Sequence, residues 1–176
     1  PFDEGDWADP VLRSYLYDVA EDIQLRALQD SSYPRIRDRV GKILGEEDYH
    51  REHAASWLER LCEEDEGRAR VQDALDRMFP YAMTLFAPTD EEVEDRIDEL
   101  GIRSDPLVTM REEWLDEVVP FLESLGLTVE DAELPEQYDV HHSQLELPEH
   151  VGRDQSHTDD WFDLFDEFTH SYRELG

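Results

Sequence analysis

The longest regular feature of the sequence is a stripe of positions that recur at alternating steps of four and three. Its apolar members are Ile36, Val40, Ile43, Ala54, Trp57 and Leu61, and Glu47 and His50 occupy the two positions between Ile43 and Ala54. This spacing puts every member on one side of an α-helix, as packing in a helical bundle requires. A half-buried strand would instead alternate at every second residue, so the stripe predicts a long amphipathic helix.

Similar spacing predicts helices on either side of this one. A first helix is expected over residues 10–29 from its apolar residues at helical spacing, namely Val11, Leu12, Leu16, Val19 and Ile23. A third is expected over residues 71–85, where Pro80 should kink it. Thr89 and Glu92 form a capping box, which predicts the start of a short fourth helix.

The last third of the chain predicts a helix, an irregular connector and another helix. Residues 107–121 carry a helical stripe that Pro120 should bend or interrupt. Residues from about 127 to 155 show no sustained period and predict an acidic connector. Ser156 can cap a last helix with a strongly aromatic stripe. Strand signals are almost absent, so the predicted fold class is all-α, with residues 1–176 forming a single helical domain.

The charge of the chain bears on its surroundings and partners. It has 16 basic and 47 acidic residues, a formal net charge of −31, and Lys42 as its only lysine. Dense surface carboxylates stay hydrated in concentrated salt, where the Debye length falls to about 3 Å and their repulsion is screened. We therefore expect an acidic surface and a salt-adapted source. Nucleic acid is not expected as a partner, because phosphate binding needs clustered lysine and arginine.

Cysteine use and hydropathy bear on the compartment. Cys62 is the only cysteine, so no intramolecular disulfide can form and a reducing cytosol is the expected compartment. No stretch approaches the roughly 18 apolar residues of a membrane span, and no signal-like segment opens the chain. The prediction is a cytoplasmic protein without a membrane partner.

Two Glu-x-x-His pairs are the motifs that could carry chemistry. In ferritin-like di-iron proteins two helices each contribute such a pair, and two other helices each add one glutamate. At roughly 100° per residue, Glu47 and His50 fall within the arc of the long apolar stripe and should point toward the core. Glu167 and His170 fall outside the aromatic arc of the last helix and should lie on the surface.

One inward pair does not complete a di-iron site, which takes about six protein ligands from four helices. Further inward carboxylates are only weakly indicated, because each candidate lies beside an apolar stripe rather than within it. These candidates are Glu21, Asp22, Asp73 and Asp76. No metal ligand is therefore expected in this chain, and Glu47 and His50 stay as the minority candidates.

A buried polar network is the alternative interpretation of the same helix. A glutamate and a histidine inside a bundle can hydrogen-bond or form an ion pair, which satisfies both groups. Glu46 and His53 flank the pair at the edges of the stripe, and His157 begins the last helix near its inward face. We predict that Glu46, Glu47, His50, His53 and His157 belong to buried polar contacts of this kind.

The remaining motifs indicate no catalytic or cofactor site. His141, His142 and His150 lie in the connector, where a solvated loop is favoured because no cysteine or regularly spaced carboxylate accompanies them. The sequence contains no glycine-rich phosphate loop, Gly-x-Ser-x-Gly elbow or paired-cysteine motif. No catalytic or cofactor-binding residue is predicted.

The stretch GEEDYHREHAASWLERLCEEDEGRARVQDALDRMFPYAMTLF, residues 45–86, resembles the ferritin-like C subunit of phenylacetyl-CoA 1,2-epoxidase. The matching features occur in order over nearly the whole chain. They are Glu46, Tyr49, His50, His53, Trp57, Leu75, the Phe79-Pro80-Tyr81 kink, Gly152-Arg153 and His157-Thr158. As a combined pattern they are fairly specific, although none is so alone.

The resemblance implies a fold, a role and a partner. Members of that family are helical bundles that pair with a related catalytic A subunit, which holds the di-iron centre and binds the CoA thioester. The C subunit has lost a complete ligand set and serves as a structural partner. The resemblance thus implies a ferritin-like, non-catalytic subunit of a multicomponent monooxygenase that epoxidises the ring of phenylacetyl-CoA in aerobic phenylacetate catabolism. No cofactor is expected in this subunit.

Two departures from the family pattern bear on this expectation. The family ordinarily begins with an additional helical pair before the segment matching Trp7 onward, and the sequence shows no counterpart. A bundle lacking that pair should expose Leu12, Leu16 and Val19, which predicts either self-association or pairing with a related subunit. Glu47 stands where the family ordinarily has an apolar residue, which keeps a metal site open as an alternative.

Two other function classes stay open from the sequence. One is a ferritin-like di-iron oxygenase or oxidase that binds metal itself through Glu47 and His50, which about two irons per chain would indicate. The other is a stand-alone acidic helical interaction protein with no connection to phenylacetate. Metal analysis separates the first from a structural subunit, and genomic neighbourhood separates the second.

Overall fold

The computed structural model describes residues 7–88 and 90–129, apart from the side chains of residues 45–49 and of Glu91. These residues form a bundle of helices in the order α1 (Ala8–Ala27), α2 (Pro34–Cys62), α3 (Asp65–Met83), a 3₁₀ turn (Thr84–Phe86), α4 (Glu91–Glu99) and α5 (Leu107–Ser124). No strand occurs in the described ranges, and the predicted all-α fold class is confirmed. None of the described helices combines the length and apolar character needed to cross a bilayer.

Local sequence signals explain where several helices begin and end. Pro34 lies in the first turn of α2, where its fixed φ suits a helix start. A Cβ on Gly67, in the first turn of α3, would collide with the carbonyl oxygen of Leu61, so the tight reversal between α2 and α3 requires glycine. Gly126 follows α5 with a φ of 80°, a left-handed conformation that glycine adopts without strain.

Helix α4 begins differently from the prediction. Its N-cap is Asp90, whose Oδ1 accepts a hydrogen bond from the backbone N–H of Val93 at 3.2 Å. Thr89 lies outside the described residues. Aspartate and threonine are both good N-caps and stand side by side in this sequence, so residue type alone does not decide which one caps the helix.

The two prolines inside helices do not interrupt them. Helix α3 continues past Pro80 to Met83, and α5 continues past Pro120 to Ser124. Each proline lies close to the C-terminal end of its helix. Only a few helical residues follow it, so the loss of one backbone N–H hydrogen bond affects little of the helix. Of the two outcomes predicted for Pro120, a bend or an interruption, interruption does not occur, and the bend stays a prediction.

Helix α1 is central to the bundle and packs against α2, α3 and α5. Trp114 of α5 is the largest fully buried side chain among the described residues. Its ring centroid lies 5.7 Å from that of Phe79 and 5.9 Å from that of Phe86. Its indole N–H donates to the carbonyl oxygen of Leu16 at 3.0 Å, so the buried polar atom is satisfied and α5 is joined to α1.

The apolar stripe of α1 is buried within this core. Leu12, Leu16 and Val19 are 0%, 2% and 0% exposed, and they belong to the same buried cluster as Val71 of α3 and Leu115 of α5. The prediction that this stripe would be exposed is wrong, because α3 and α5 supply its packing partners. It therefore gives no reason to expect an oligomer.

Helix α2 buries a different line of residues from the predicted stripe. Val40 and Ala54 are buried as expected, but Leu58 and Cys62 are buried as well, while Trp57 is 40% exposed. At roughly 100° per residue, the centre of the buried line is rotated by about 50° from the predicted one. Residues at the edge of the predicted stripe consequently face a groove or solvent.

Candidate functional site

A layer of ion pairs connects α1, α2 and α5. Its members are Asp22 and Arg26 of α1, Arg51 of α2, and Glu113 and Glu117 of α5. The Nε atom of Arg26 donates to Oδ2 of Asp22 at 2.9 Å, and its Nη1 donates to Oε1 of Glu113 at 2.8 Å. The Nη1 atom of Arg51 lies 3.4 Å from Oδ2 of Asp22 and 3.3 Å from Oε1 of Glu117. We call these five residues the ion-pair layer.

Asp22 is the most buried charge of the ion-pair layer. Its side chain is 8% exposed, and its Oδ2 atom is shared between the guanidiniums of Arg26 and Arg51. Such pairing offsets the cost of removing a carboxylate from water. Burial acts to lower the pKa of Arg26, but the hydrogen bond to Glu113 and the charge of Asp22 outweigh it and raise that pKa above its ordinary value.

Tyr15 lies beside the ion-pair layer on α1. It is buried, and its ring centroid is 4.6 Å from that of Phe121. Burial raises the pKa of the Tyr15 phenol well above its ordinary range, the negative charge of Glu117 raises it further, and Arg51 acts in the opposite direction. At neutral pH the phenol therefore remains protonated and does not act as a base.

The ion-pair layer does not fit a dinuclear iron centre. Such a centre needs several carboxylates and imidazoles with lone pairs free to coordinate, whereas these carboxylates accept hydrogen bonds from arginine. Within the described ranges, no three His, Cys, Asp or Glu side chains are grouped so that they could hold a metal ion. The side chains of Glu46 and Glu47, and the whole of His157, lie outside the described residues.

A groove of about 380 Å³ lies between the N-terminal half of α1 and the C-terminal half of α2. Its lining includes Trp7, Val11, Asp18, His50, His53 and Trp57. Trp7 is 71% exposed and Trp57 is 40% exposed, and their rings stack with centroids 6.5 Å apart at an interplanar angle of 20°. We call this feature the tryptophan groove.

The structure places His50 and His53 in the lining of the tryptophan groove and not in the core. Both are exposed, so the prediction that they are buried is wrong. The rotation of the buried line of α2 explains this, because both residues lie on the side from which the buried line turns away. His53 accepts a hydrogen bond at Nε2 from the indole N–H of Trp57 at 3.1 Å, and the Arg60 guanidinium lies 5.5 Å from the Trp57 ring.

The weaker carboxylate candidates separate by burial. Asp22 is buried in the ion-pair layer and Glu21 is half-buried, whereas Asp73 and Asp76 are exposed on α3. The three connector histidines, His141, His142 and His150, and the second pair, Glu167 and His170, lie outside the described residues. Only Asp22 of the four carboxylate candidates is thus fully inside the described bundle.

Sequence reasoning missed the α1 side of the tryptophan groove. Trp7, Val11, Ser14 and Asp18 line it and recur at steps of four, three and four. The four positions form a second helical stripe that shares Val11 with the apolar one, and its spacing was a usable signal. Its mixture of apolar, hydroxyl and acidic side chains concealed it, because a search for apolar periodicity passes over serine and aspartate.

The described part of the chain is thus an all-α bundle with arginine–carboxylate pairs between its helices and an aromatic groove on its surface. Residues 2–174 match the family described as Phenylacetic acid catabolic protein, and the chain belongs to this family. The fold is a ferritin-like helical bundle.

Two curated proteins from Escherichia coli (strain K12) are similar to the chain. One is the C subunit of 1,2-phenylacetyl-CoA epoxidase, 29% identical over 126 residues that cover 71% of this chain and 50% of that protein. The other is the A subunit of the same enzyme, 28% identical over 131 residues that cover 73% of this chain and 42% of that protein. The chain spans about half the length of the curated relatives it matches. The two similarities are nearly equal, so identity by itself does not choose between these relatives.

Proposed function

We propose that the chain is a structural, non-catalytic subunit of a multicomponent di-iron monooxygenase that epoxidises the ring of phenylacetyl-CoA. The family description and the names of both relatives support the connection to phenylacetate. The resemblance of residues 45–86 to the C subunit supports the structural role. Membership of this family argues against a stand-alone acidic interaction protein.

The ion-pair layer is the observation that carries the non-catalytic role. It places the guanidiniums of Arg26 and Arg51 among the carboxylates of α1 and α5. Arginine stays protonated at any pH at which a protein is folded, so these cations keep neutralising the carboxylates that would otherwise attract a metal. Guanidinium groups are also unable to coordinate a cation. The layer is suited to joining helices and not to holding iron.

In this proposal the iron and the substrate site belong to a related catalytic subunit. This chain supplies no cofactor and stabilises that subunit by packing against it. The expected compartment is the cytoplasm, in keeping with Cys62 as a free thiol. The acidic composition suggests that the complex works in concentrated salt, where repulsion between its carboxylates is screened.

Metal analysis tests this division of roles. The chain would be purified alone, and also in complex with a catalytic subunit from the same source, both at molar salt. We expect iron only in the complex. Glu47→Gln and His50→Gln, which remove the two minority ligands, should leave the iron content of the complex unchanged, as should the control Glu59→Gln at an exposed position of α2 outside the groove. Stoichiometric iron in the isolated chain that is lost in Glu47→Gln would overturn the proposal.

A further inference from the structure

The shape of the tryptophan groove suits a helix better than a small molecule. A small-molecule site usually encloses most of its ligand's surface. Here Trp7 is 71% exposed, so one side of the groove is open. The groove lies between two helices, with Val11 and Ala54 in its lining, Trp57 on α2 and Trp7 at the N-cap of α1. An amphipathic helix recognises such a surface by placing side chains from successive turns between its walls.

The aromatic side chains of the groove are held in place before any partner arrives. The indole N–H of Trp57 donates to Nε2 of His53 at 3.1 Å, and the Arg60 guanidinium lies over the Trp57 ring, 5.5 Å from its centroid. Trp7 stacks on Trp57 from α1. Preorganised tryptophans contribute strongly to association, because little side-chain freedom is lost on binding and a large apolar area is covered.

The charge of the chain decides between kinds of partner. In dilute salt a second copy would bring another net charge of −31 to the interface, and electrostatic repulsion would oppose self-association through this surface. At molar salt this repulsion is screened, so the charges that line the groove itself decide the partner. Asp18 lines the groove, and Glu52 lies with Arg60 in the adjoining cleft beside Trp57, where Arg60 is placed over the Trp57 ring. A helix with basic residues beside its apolar stripe would complement these carboxylates.

We propose that the tryptophan groove docks an amphipathic helix of a partner protein, one that carries lysine or arginine beside its apolar stripe. The inference rests on the proposed function only in that a member of a multi-protein complex needs a docking surface. Iron in the isolated chain would overturn the proposed function and would leave the groove's binding behaviour untouched. The two ideas can therefore fail separately.

The test uses two synthetic peptides of about 18 residues, or five helical turns, made of the same leucines and lysines. In one peptide the leucines share a helical face, and in the other they are scrambled around the helix. Binding of each peptide to the full chain is measured by calorimetry at several salt concentrations. We expect the striped peptide to bind at least about tenfold more tightly than the scrambled one, because only the striped peptide can cover both tryptophans.

Variants locate the binding surface. Trp57→Ala should weaken binding of the striped peptide by about tenfold or more. Trp7→Ala should also weaken binding of the striped peptide. Because Trp7 contributes less to the fold than Trp57 does, this variant replaces Trp57→Ala in the test if Trp57→Ala unfolds the chain. Asp18→Asn should weaken binding a few-fold, and less at high salt. Tyr81→Ala, which removes a ring that is 53% exposed on α3, should have no effect.

Four results would overturn the proposal. Equal binding of both peptides would show that charge alone attracts them. Unchanged binding in both tryptophan variants would place the site elsewhere. Self-association that is lost in Trp7→Ala, seen by sedimentation, would make a second copy the occupant. Displacement of the striped peptide by one with the sequence of residues 156–176 would make the occupant a segment of this chain.

Discussion

Helix α1 presents two tryptophan-containing surfaces with opposite properties. On one side, Leu16 accepts a hydrogen bond from Trp114, which is fully buried against Phe79 and Phe86. On the other side, Trp7 stacks on Trp57 across the open groove and is 71% exposed. The same residue type thus closes the core in one place and leaves a contact surface in the other.

The difference between these surfaces lies in what surrounds each indole. Trp114 has apolar neighbours from several helices and a satisfied N–H, so its contribution is to stability. Trp57 has histidine and arginine neighbours that orient its ring and leave it 40% exposed. An indole that is buried on all sides stabilises the folded state, whereas an indole that is oriented by its neighbours and still partly exposed can contact a partner. Variants of the two tryptophans should therefore differ, with Trp114 affecting mainly stability and Trp57 affecting mainly binding.

The largest expected effect is that of Trp114→Ala. Truncating a fully buried tryptophan leaves a cavity and removes its hydrogen bond to the carbonyl oxygen of Leu16, so we expect a loss of about 3–5 kcal/mol in the free energy of unfolding. Denaturant unfolding followed by far-UV circular dichroism at fixed high salt measures it. Trp114→Phe, which keeps one ring, should lose less. A loss below about 1 kcal/mol in the alanine variant would mean that α5 is not part of the core.

The ion-pair layer should show the next largest effect. Asp22→Asn keeps the shape of the side chain but removes the charge shared by Arg26 and Arg51, so we expect a loss of about 1–3 kcal/mol. Asp38→Asn is the matched control, because Asp38 is exposed on α2 and should change the free energy of unfolding by less than about 0.5 kcal/mol. Equal effects of the two variants would show that the layer is only a solvated surface feature.

The sequence predicted the helices well because their signal is local. Apolar residues at steps of three and four indicate a helix without knowledge of its neighbours. The same pattern gives the direction of a side chain only roughly, since the buried line depends on which helices pack against it. His50 lies within the predicted arc, and yet a rotation of about 50° was enough to place it in a groove.

The ion-pair layer was beyond sequence reasoning for a different reason. Arg51 and Glu117 are 66 residues apart, and no local pattern joins them. In a chain with 47 acidic residues, almost any arginine has many carboxylates as candidate partners. Only the packing of α1, α2 and α5 selects Asp22, Glu113 and Glu117 from them. The family resemblance pointed to a structural role without indicating which residues make these contacts.

Tyr15 tests the buried side of α1, the side that packs against α5. Its pKa is raised in the folded chain, chiefly by burial, whereas an unfolded tyrosine ionises near pH 10. Above about pH 10 the unfolded chain releases a proton that the folded chain retains, so stability present below that pH is lost as pH rises, by up to about 1.4 kcal/mol per pH unit. Tyr15→Phe should reduce this alkaline loss in pH-dependent denaturant unfolding.

Tyr17 provides the matched control for this alkaline effect. It is 51% exposed on the same helix, so Tyr17→Phe should leave the loss nearly unchanged. Burial also raises the pKa of Cys62, and that contribution is common to both variants and cancels between them. If the two tyrosine variants lose the same stability at alkaline pH, the phenol of Tyr15 is accessible to water and this side of α1 is not buried.

The smallest expected effect is that of Trp7→Ala on stability. Less than a third of this residue is buried, since it is 71% exposed, and at roughly 25 cal/mol per Å² the lost apolar contact is worth at most about 1–2 kcal/mol. The measurement is the same denaturant unfolding as for Trp114→Ala, with Trp7→Phe as the control that keeps a stacking ring against Trp57. A loss as large as that of Trp114→Ala would make the groove part of the core, and its open tryptophan would then need no partner. A small loss together with weakened binding of the striped peptide would separate the two surfaces of α1 by function, because the residue would matter for contact and hardly at all for folding.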